Sequence, residues 1–291
     1  MELFRVAGIR VGIHPAVSLL FVACIALGLV VQAILLFALV IGHELVHLLV
    51  ARAYGFQVKG LELFPFGGAA YCDDLFEGRK VEESVMALAG PMFNVFLLLG
   101  AQVLRWQGWW TGSLAEDFVR YNFWLAAFNL LPVLPLDGGR IVRALLVGSF
   151  GFVRTTKALA WGGRWLGIGL VLAGLVLWGA GRFADGTVFL ILLGVFFWLA
   201  GGKEIVAARV TFLRQLMHKK EELARKGLMR NKGITVYQAT PLIRIVEDLI
   251  PDRYALVSVT GDAFTVTKIL TETEILEGML REGIHYPVGK L

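Results

Sequence analysis

The chain has 291 residues, 57% of them hydrophobic and only 18% charged, a balance that excludes an ordinary soluble domain of this size. Its formal charge of +5 is no signature of nucleic-acid binding: half of the Lys and Arg fall from Lys203 onward and the others gather in particular connectors, as membrane orientation demands. Two cysteines, Cys24 and Cys72, exclude a disulfide framework and a Cys-based metal site.

The apolar residues come in blocks separated by charged connectors, so the chain reads as an α-helical polytopic membrane protein with a soluble tail. Three regions follow: a membrane domain over 1–204, a basic helical linker over 205–232, and a small α/β domain over 233–291. Residues 1–15 are a short basic lead, and no small-residue cleavage site marks a signal peptide after Arg5 and Arg10. Between Ala16 and Val50 the hydrophilic residues are Gln32 and the group around His43. At ~1.5 Å per residue that run is far longer than a hydrocarbon core of ~30 Å, so it forms two spans, about 13–30 and 31–53.

The second span contains His43-Glu44-Leu45-Val46-His47. Two histidines four residues apart on a helix project from one face, one turn above each other. That spacing suits two imidazoles on one metal ion, with Glu44 as base for a metal-bound water. The pattern is common by chance in soluble chains, but three ionisable side chains inside a bilayer are costly and mark function.

Residues 54–84 differ in kind. They are rich in glycine, carry strand-like runs at Gly60 to Phe64 and Ala69 to Tyr71, and hold Asp73, Asp74 and Glu77. This predicts a β-hairpin or re-entrant loop against the membrane domain. A third span covers 85–104, interrupted early by Gly90-Pro91 and carrying Asn94. Trp106, Trp109 and Trp110 follow as an interfacial belt. Spans four, five and six cover about 118–137, 159–180 and 186–202. With six spans, the amino terminus, the 54–84 and 138–158 loops and the tail share one side and nearly all the basic residues. Both termini are therefore expected in the cytoplasm.

A catalytic zinc usually takes three protein ligands and keeps one position open. His14, His218 and His285 lie at the membrane surface or in the tail, which leaves carboxylates at membrane depth. Asp137 ends the segment Asn129-Leu-Leu-Pro132-Val-Leu-Pro135-Leu-Asp137-Gly-Gly and arrives at the depth of His43 and His47. The prolines break the helical ladder there, which a bilayer tolerates only where backbone lines protein or a wet cavity. The competing role for Asp137 is to cap a helix starting at Gly138.

His43-Glu44-Leu45-Val46-His47, Phe64-Pro65-Phe66-Gly67-Gly68, Ala89-Gly90-Pro91 with Asn94, and Asn129 through Gly139 together resemble the site-2 protease family of intramembrane zinc metalloproteases. Their order and spacing match over residues 1–204. The six-span layout with a soluble tail is most similar to the subgroup containing the stage IV sporulation protease FB, which processes a mother-cell sigma-factor precursor. Val46 departs from the small residue usual in relatives. It touches neither ligand nor base, but a bulkier side chain between the ligands alters packing against a neighbouring span and weakens the subgroup assignment.

The resemblance implies hydrolysis of a peptide bond in a membrane-associated protein, at the cytoplasmic membrane face. His43, His47 and Asp137 would hold one Zn2+, and Glu44 would take the water's proton and pass it to the leaving amine. Asn129 would donate to the oxyanion or the substrate chain, or else satisfy backbone groups freed by the prolines. A substrate must present an extended strand, because a helix hides its peptide bonds. The 60–71 run offers an edge for β-augmentation with Phe64, Phe66 and Tyr71 as apolar contacts and Gly67 and Gly68 permitting close approach; alternatively the loop plugs the site. Asn94 and Pro135 join the expected substrate contacts. A membrane-bound inhibitory partner and a mother-cell or forespore membrane fit the sporulation resemblance. A non-catalytic membrane scaffold regulated through its tail is the rival reading.

In the tail, Val206, Val210, Leu213 and Met217 recur at helical spacing while Lys and Arg cover the opposite face. That helix lies on the anionic leaflet or serves as a solvated spacer. Residues 233–283 read as strand, helix, strand, strand, helix, similar to a single CBS unit, and such units usually pair, implying a homo-oligomer. The resemblance places Thr271 and Glu274 where relatives bind the ribose of an adenine nucleotide such as ATP. A capping box accounts for the same two residues.

Overall fold

The short basic lead forms strands, for which the sequence reading had no element. The computed structural model, which describes residues 2–6, 9–26, 28–64, 67–72, 79–181, 185–249 and 253–291, forms an antiparallel pair from β1 (Glu2–Val6) and β2 (Ile9–Ile13). Two helices follow, α1 (Pro15–Ala26) and α2 (Val30–Ala53). The chain returns as β3 (Val58–Phe64), parallel to β2, with Arg10 opposite Gly60 and Ile13 opposite Leu63. A parallel pair needs a long crossover, and the two helices supply it. Then β4 (Gly67–Cys72) turns back antiparallel on β3, so the sheet order is β1-β2-β3-β4 and β4 is an edge. The lead's partner strand is far along the chain, which local sequence signals do not reveal.

Next come α3 (Lys80–Trp106), α4 (Ser113–Asn129), α5 (Asp137–Phe150), α6 (Phe152–Gly179) and α7 (Asp185–Lys226). Gly90-Pro91 does not interrupt α3 as expected; the helix runs through Pro91. A proline removes one ladder bond, but here α3 packs on both α2 and α4, and neighbouring helices stabilise such a site. Buried rows explain that packing: Leu39, His43, His47 and Ala51 repeat every four residues along α2, and Ala87, Gly90, Pro91 and Asn94 line α3. Between α6 and α7 the backbones touch. A Cβ on Gly167 would lie 2.6 Å from the Gly194 carbonyl oxygen, and one on Gly194 would lie 2.5 Å from that of Gly167, the small-residue contact by which membrane helices approach.

Among the described residues, four helical stretches, Val30–Ala53, Lys80–Trp106, Phe152–Gly179 and Gly186–Ala208, are long and apolar enough to cross a membrane. With 12 and 17 residues, α1 and α4 fall short of the ~20 that a straight crossing takes. Outward faces are apolar: Phe96, Leu99 and Val103 on α3 and Leu172, Leu175 and Val176 on α6 are exposed. A water-soluble surface rarely carries that much contiguous hydrocarbon.

The chain divides into two units, residues 1–142 with 161–201, and residues 143–160 with 202–291. The second holds β5 (Asn231–Tyr237), α8 (Leu242–Glu247), β6 (Tyr254–Thr260), β7 (Val266–Thr271) and α9 (Glu272–Glu282), in the order expected from sequence. The β5 and β6 strands pair in parallel across α8, and β6 and β7 antiparallel. Its core joins Leu242, Ile245, Val257 and Ile275 to Val147, Phe152 and Val153 from the turn between α5 and α6. Two ion pairs, Arg154 to Asp248 and Lys157 to Glu247, both at 2.5 Å, lie over that contact. The turn, counted with the membrane domain in the sequence reading, is thus part of the tail's core.

Candidate metal centre

Helix α2 brings His43 and His47 to one buried face because four residues make little more than one turn. The non-helical stretch 130–136, with Pro132 and Pro135, separates α4 from α5. Asp137 is the first residue of α5, where the alternative role put the cap of a helix starting at Gly138, and it is buried. Three atoms converge: Nε2 of His43, Nε2 of His47 and Oδ2 of Asp137 form a triangle with sides of 3.1 Å. Corners of a tetrahedron with bonds of ~2.0–2.1 Å lie ~3.3–3.4 Å apart, so the triangle is one face of a zinc coordination shell to within a few tenths of an ångström.

Proton positions decide whether a cation fits. His47 Nδ1 donates to the Met86 carbonyl at 2.6 Å, and His43 Nδ1 donates to Asn94 Oδ1 at 2.5 Å. With their hydrogens on Nδ1, the neutral imidazoles present bare Nε2 lone pairs to each other and to a carboxylate oxygen. Three electron-rich atoms at that separation repel unless a positive charge sits among them. Two imidazole nitrogens and one carboxylate oxygen suit zinc. The residues fit the ion.

Gly90 makes the approach of α3 possible. A Cβ there would lie 2.3 Å from His47 Nε2 and 2.6 Å from His43 Nε2. Beside the triangle, Glu44 Oε1 accepts a hydrogen bond from the Gly68 backbone N–H at 3.1 Å. The outer edge of β4 is thereby turned to the carboxylate that follows the first ligand.

The family model of peptidase family M50 matches residues 31–108 and 108–172. A zinc metalloprotease of Methanocaldococcus jannaschii is 31% identical over 217 residues, 70% of this chain and 60% of that protein. Stage IV sporulation protein FB of Bacillus subtilis is 28% identical over 149 residues, 51% of this chain and 52% of that protein. Among solved structures, the site-2 protease from Methanocaldococcus jannaschii aligns with a TM-score of 0.58 at 29% identity, covering 70% of this chain and 94% of that one. These matches support peptidase family M50 for the chain. It spans 60%, 32% and 45% of the first curated relatives' own lengths.

The M50 match covers every residue of the triangle. Asn129, expected near the oxyanion or on backbone freed by the prolines, donates from Nδ2 to the Leu125 carbonyl one turn earlier in α4 at 3.0 Å. Asn94, expected among the substrate contacts, is fully buried, with one end of its amide on His43 and the other donating to Asn122 Oδ1 at 2.9 Å; it braces His43 from inside the protein. Pro135 is partly buried in the turn before Asp137. Gly67 and Gly68 open β4, while Phe64 and Tyr71 fall in β3 and β4 and Phe66 lies outside the described residues. In the tail, Thr271 Oγ1 accepts from the Glu274 N–H at 3.3 Å and Glu274 Oε2 accepts from the Thr271 N–H at 2.7 Å. Both are engaged in the cap of α9. Asn122 was not anticipated; it follows Arg120 and Tyr121 in α4 and has no sequence signal of its own.

Proposed function

We propose that the chain is a zinc-dependent intramembrane endopeptidase of the site-2 protease type. The observation that carries this reading is the buried triangle of His43 Nε2, His47 Nε2 and Asp137 Oδ2, 3.1 Å on each side. A bound zinc ion would supply Lewis-acid polarisation of the scissile carbonyl and of the attacking water. His43, His47 and Asp137 would hold the ion. Glu44 takes a proton from the attacking water and delivers it to the leaving amine, so that the carbon–nitrogen bond breaks to give a carboxylate and an amine. Asn129 holds the Leu125 carbonyl in the last turn of α4, just before the broken segment that leads to Asp137.

The substrate we infer is a membrane-associated protein, with a pro-sigma-type transcription-factor precursor the specific candidate. Similarity to stage IV sporulation protein FB supports that class. An extended substrate chain adding to the free edge of β4 passes Glu44, because Gly68 on that edge already reaches it. In the full reading, α1 and α4 complete six crossings, and both termini lie in the cytoplasm. The tail acts as a CBS-like regulatory and pairing module, and ATP binding at Thr271 and Glu274 would have to displace the cap of α9. A membrane-bound inhibitor is the expected partner.

Co-expression with a membrane-associated precursor tests the reading. The native chain should release the shortened product and Glu44→Gln should not. Equal cleavage by both would end the proposed mechanism.

A further inference from the structure

A single backbone carbonyl fixes the proton on His43 through two buried amides. Asn122 Nδ2 lies 2.8 Å from the Phe118 carbonyl oxygen, which can only accept, so the amino end of Asn122 must face it. The other end is then an acceptor, and the Asn94 end that meets it at 2.9 Å must be the amino group. Asn94 therefore turns its oxygen to His43 Nδ1 at 2.5 Å, which places the hydrogen on Nδ1 and leaves Nε2 free. Asn94 and Asn122 are both 0% exposed, so water cannot exchange for either partner.

We propose that Asn122 is a positioning residue that sets the tautomer of His43 and thereby the competence of the triangle to take a metal ion. The proposal rests on the metal-centre reading above. Without the Asn122 acceptor, the Asn94 amino group loses its one partner among the described residues, and with it the bond that fixes its orientation. A flipped Asn94 presents its amino group to Nδ1, drawing the histidine hydrogen to Nε2, where it blocks the ligand lone pair. Outer partners of metal-bound histidines are worth about 10–100-fold in metal affinity, and Asn122 acts at one remove from such a partner. The Met86 carbonyl does the same for His47 directly; His43 has only this relay.

The test uses the full-length protein in detergent, labelled with 15N-histidine, and Co2+ as the probe ion. In the metal-free native chain the His43 signal should show the proton on Nδ1. Asn122→Leu, or Asn122→Ala where Leu is too bulky, should move it towards Nε2 and weaken Co2+ binding about 10–100-fold. Asn122→Asp keeps an oxygen for Asn94 and, as the neutral acid, a donor for Phe118, so it should restore both signals. A merely structural role would lower stability without moving the proton. A native His43 carrying its hydrogen on Nε2, or an apolar variant that keeps both the Nδ1 proton and native Co2+ affinity, overturns the proposal. A native chain that shows the Nδ1 proton yet binds no Co2+ contradicts the metal-centre reading instead.

Discussion

A methyl group on Gly90 would lie 2.3 Å from His47 Nε2, well inside van der Waals contact, and the atom it meets is a ligand rather than a flexible chain end. Gly90→Ala should therefore displace an imidazole and abolish tight zinc binding, read by metal analysis of the purified protein; full occupancy would show that α3 can move aside. Glu44→Gln makes the complementary case. It removes the base but no ligand, so the variant should keep its metal while hydrolysis falls by at least ~10²–10⁴-fold, measured as precursor cleavage against zinc content. His43, His47 and Asp137 were legible because their spacing and depth carry chemistry directly. Gly90, Met86 and Asn122 were not, since each acts by what it lacks, by a backbone atom, or across helices. Gly90-Pro91 in particular reads as a break, whereas the glycine is a place for two imidazoles.

At the scale of elements, the turn between α5 and α6 belongs with the tail. Phe152 is buried among Leu242, Ile245 and Leu249, and Phe152→Ala should cost the tail unit about 3–5 kcal/mol. The readout is loss of amide exchange protection in β6, with α2 unchanged. The cap of α9 adds a pH dependence. Glu274 sits below its ordinary value of 4.5, held there first by the Thr271 backbone N–H and then by its hydroxyl. A lowered carboxylate stabilises the folded state fully above its unfolded pKa, and that contribution fades as pH falls through the folded value. Protection at the start of α9 should thus weaken as pH drops below about 4.5 in the native chain, and much less so in Glu274→Ala. Strands and helices of the tail were readable from alternation and capping residues. The hydrophobic turn that completes their core was not, because it reads as a membrane connector.

For the whole molecule, orientation follows from the distribution of basic residues, and the proposed six crossings put the turn between α3 and α4 opposite the tail. In a background lacking Cys24 and Cys72, a cysteine at Thr111 should react with an impermeant thiol reagent from outside the cell, and one at Lys290 only after the membrane is opened. Labelling of both from one side would contradict the topology. The helical plan was readable from hydropathy, whereas the sheet that joins β2 to β3 depends on pairing across two helices and leaves no local trace.

The central claim is that His43, His47 and Asp137 share one cation. X-ray absorption at the zinc edge of the purified full-length protein tests it most directly. One zinc per chain, with two imidazole nitrogens and oxygen donors at ~2.0–2.2 Å, is the expected result, and the signal should vanish in the His43→Ala, Asp137→Ala double variant. A native chain without zinc, or an unchanged spectrum in that variant, would contradict the account.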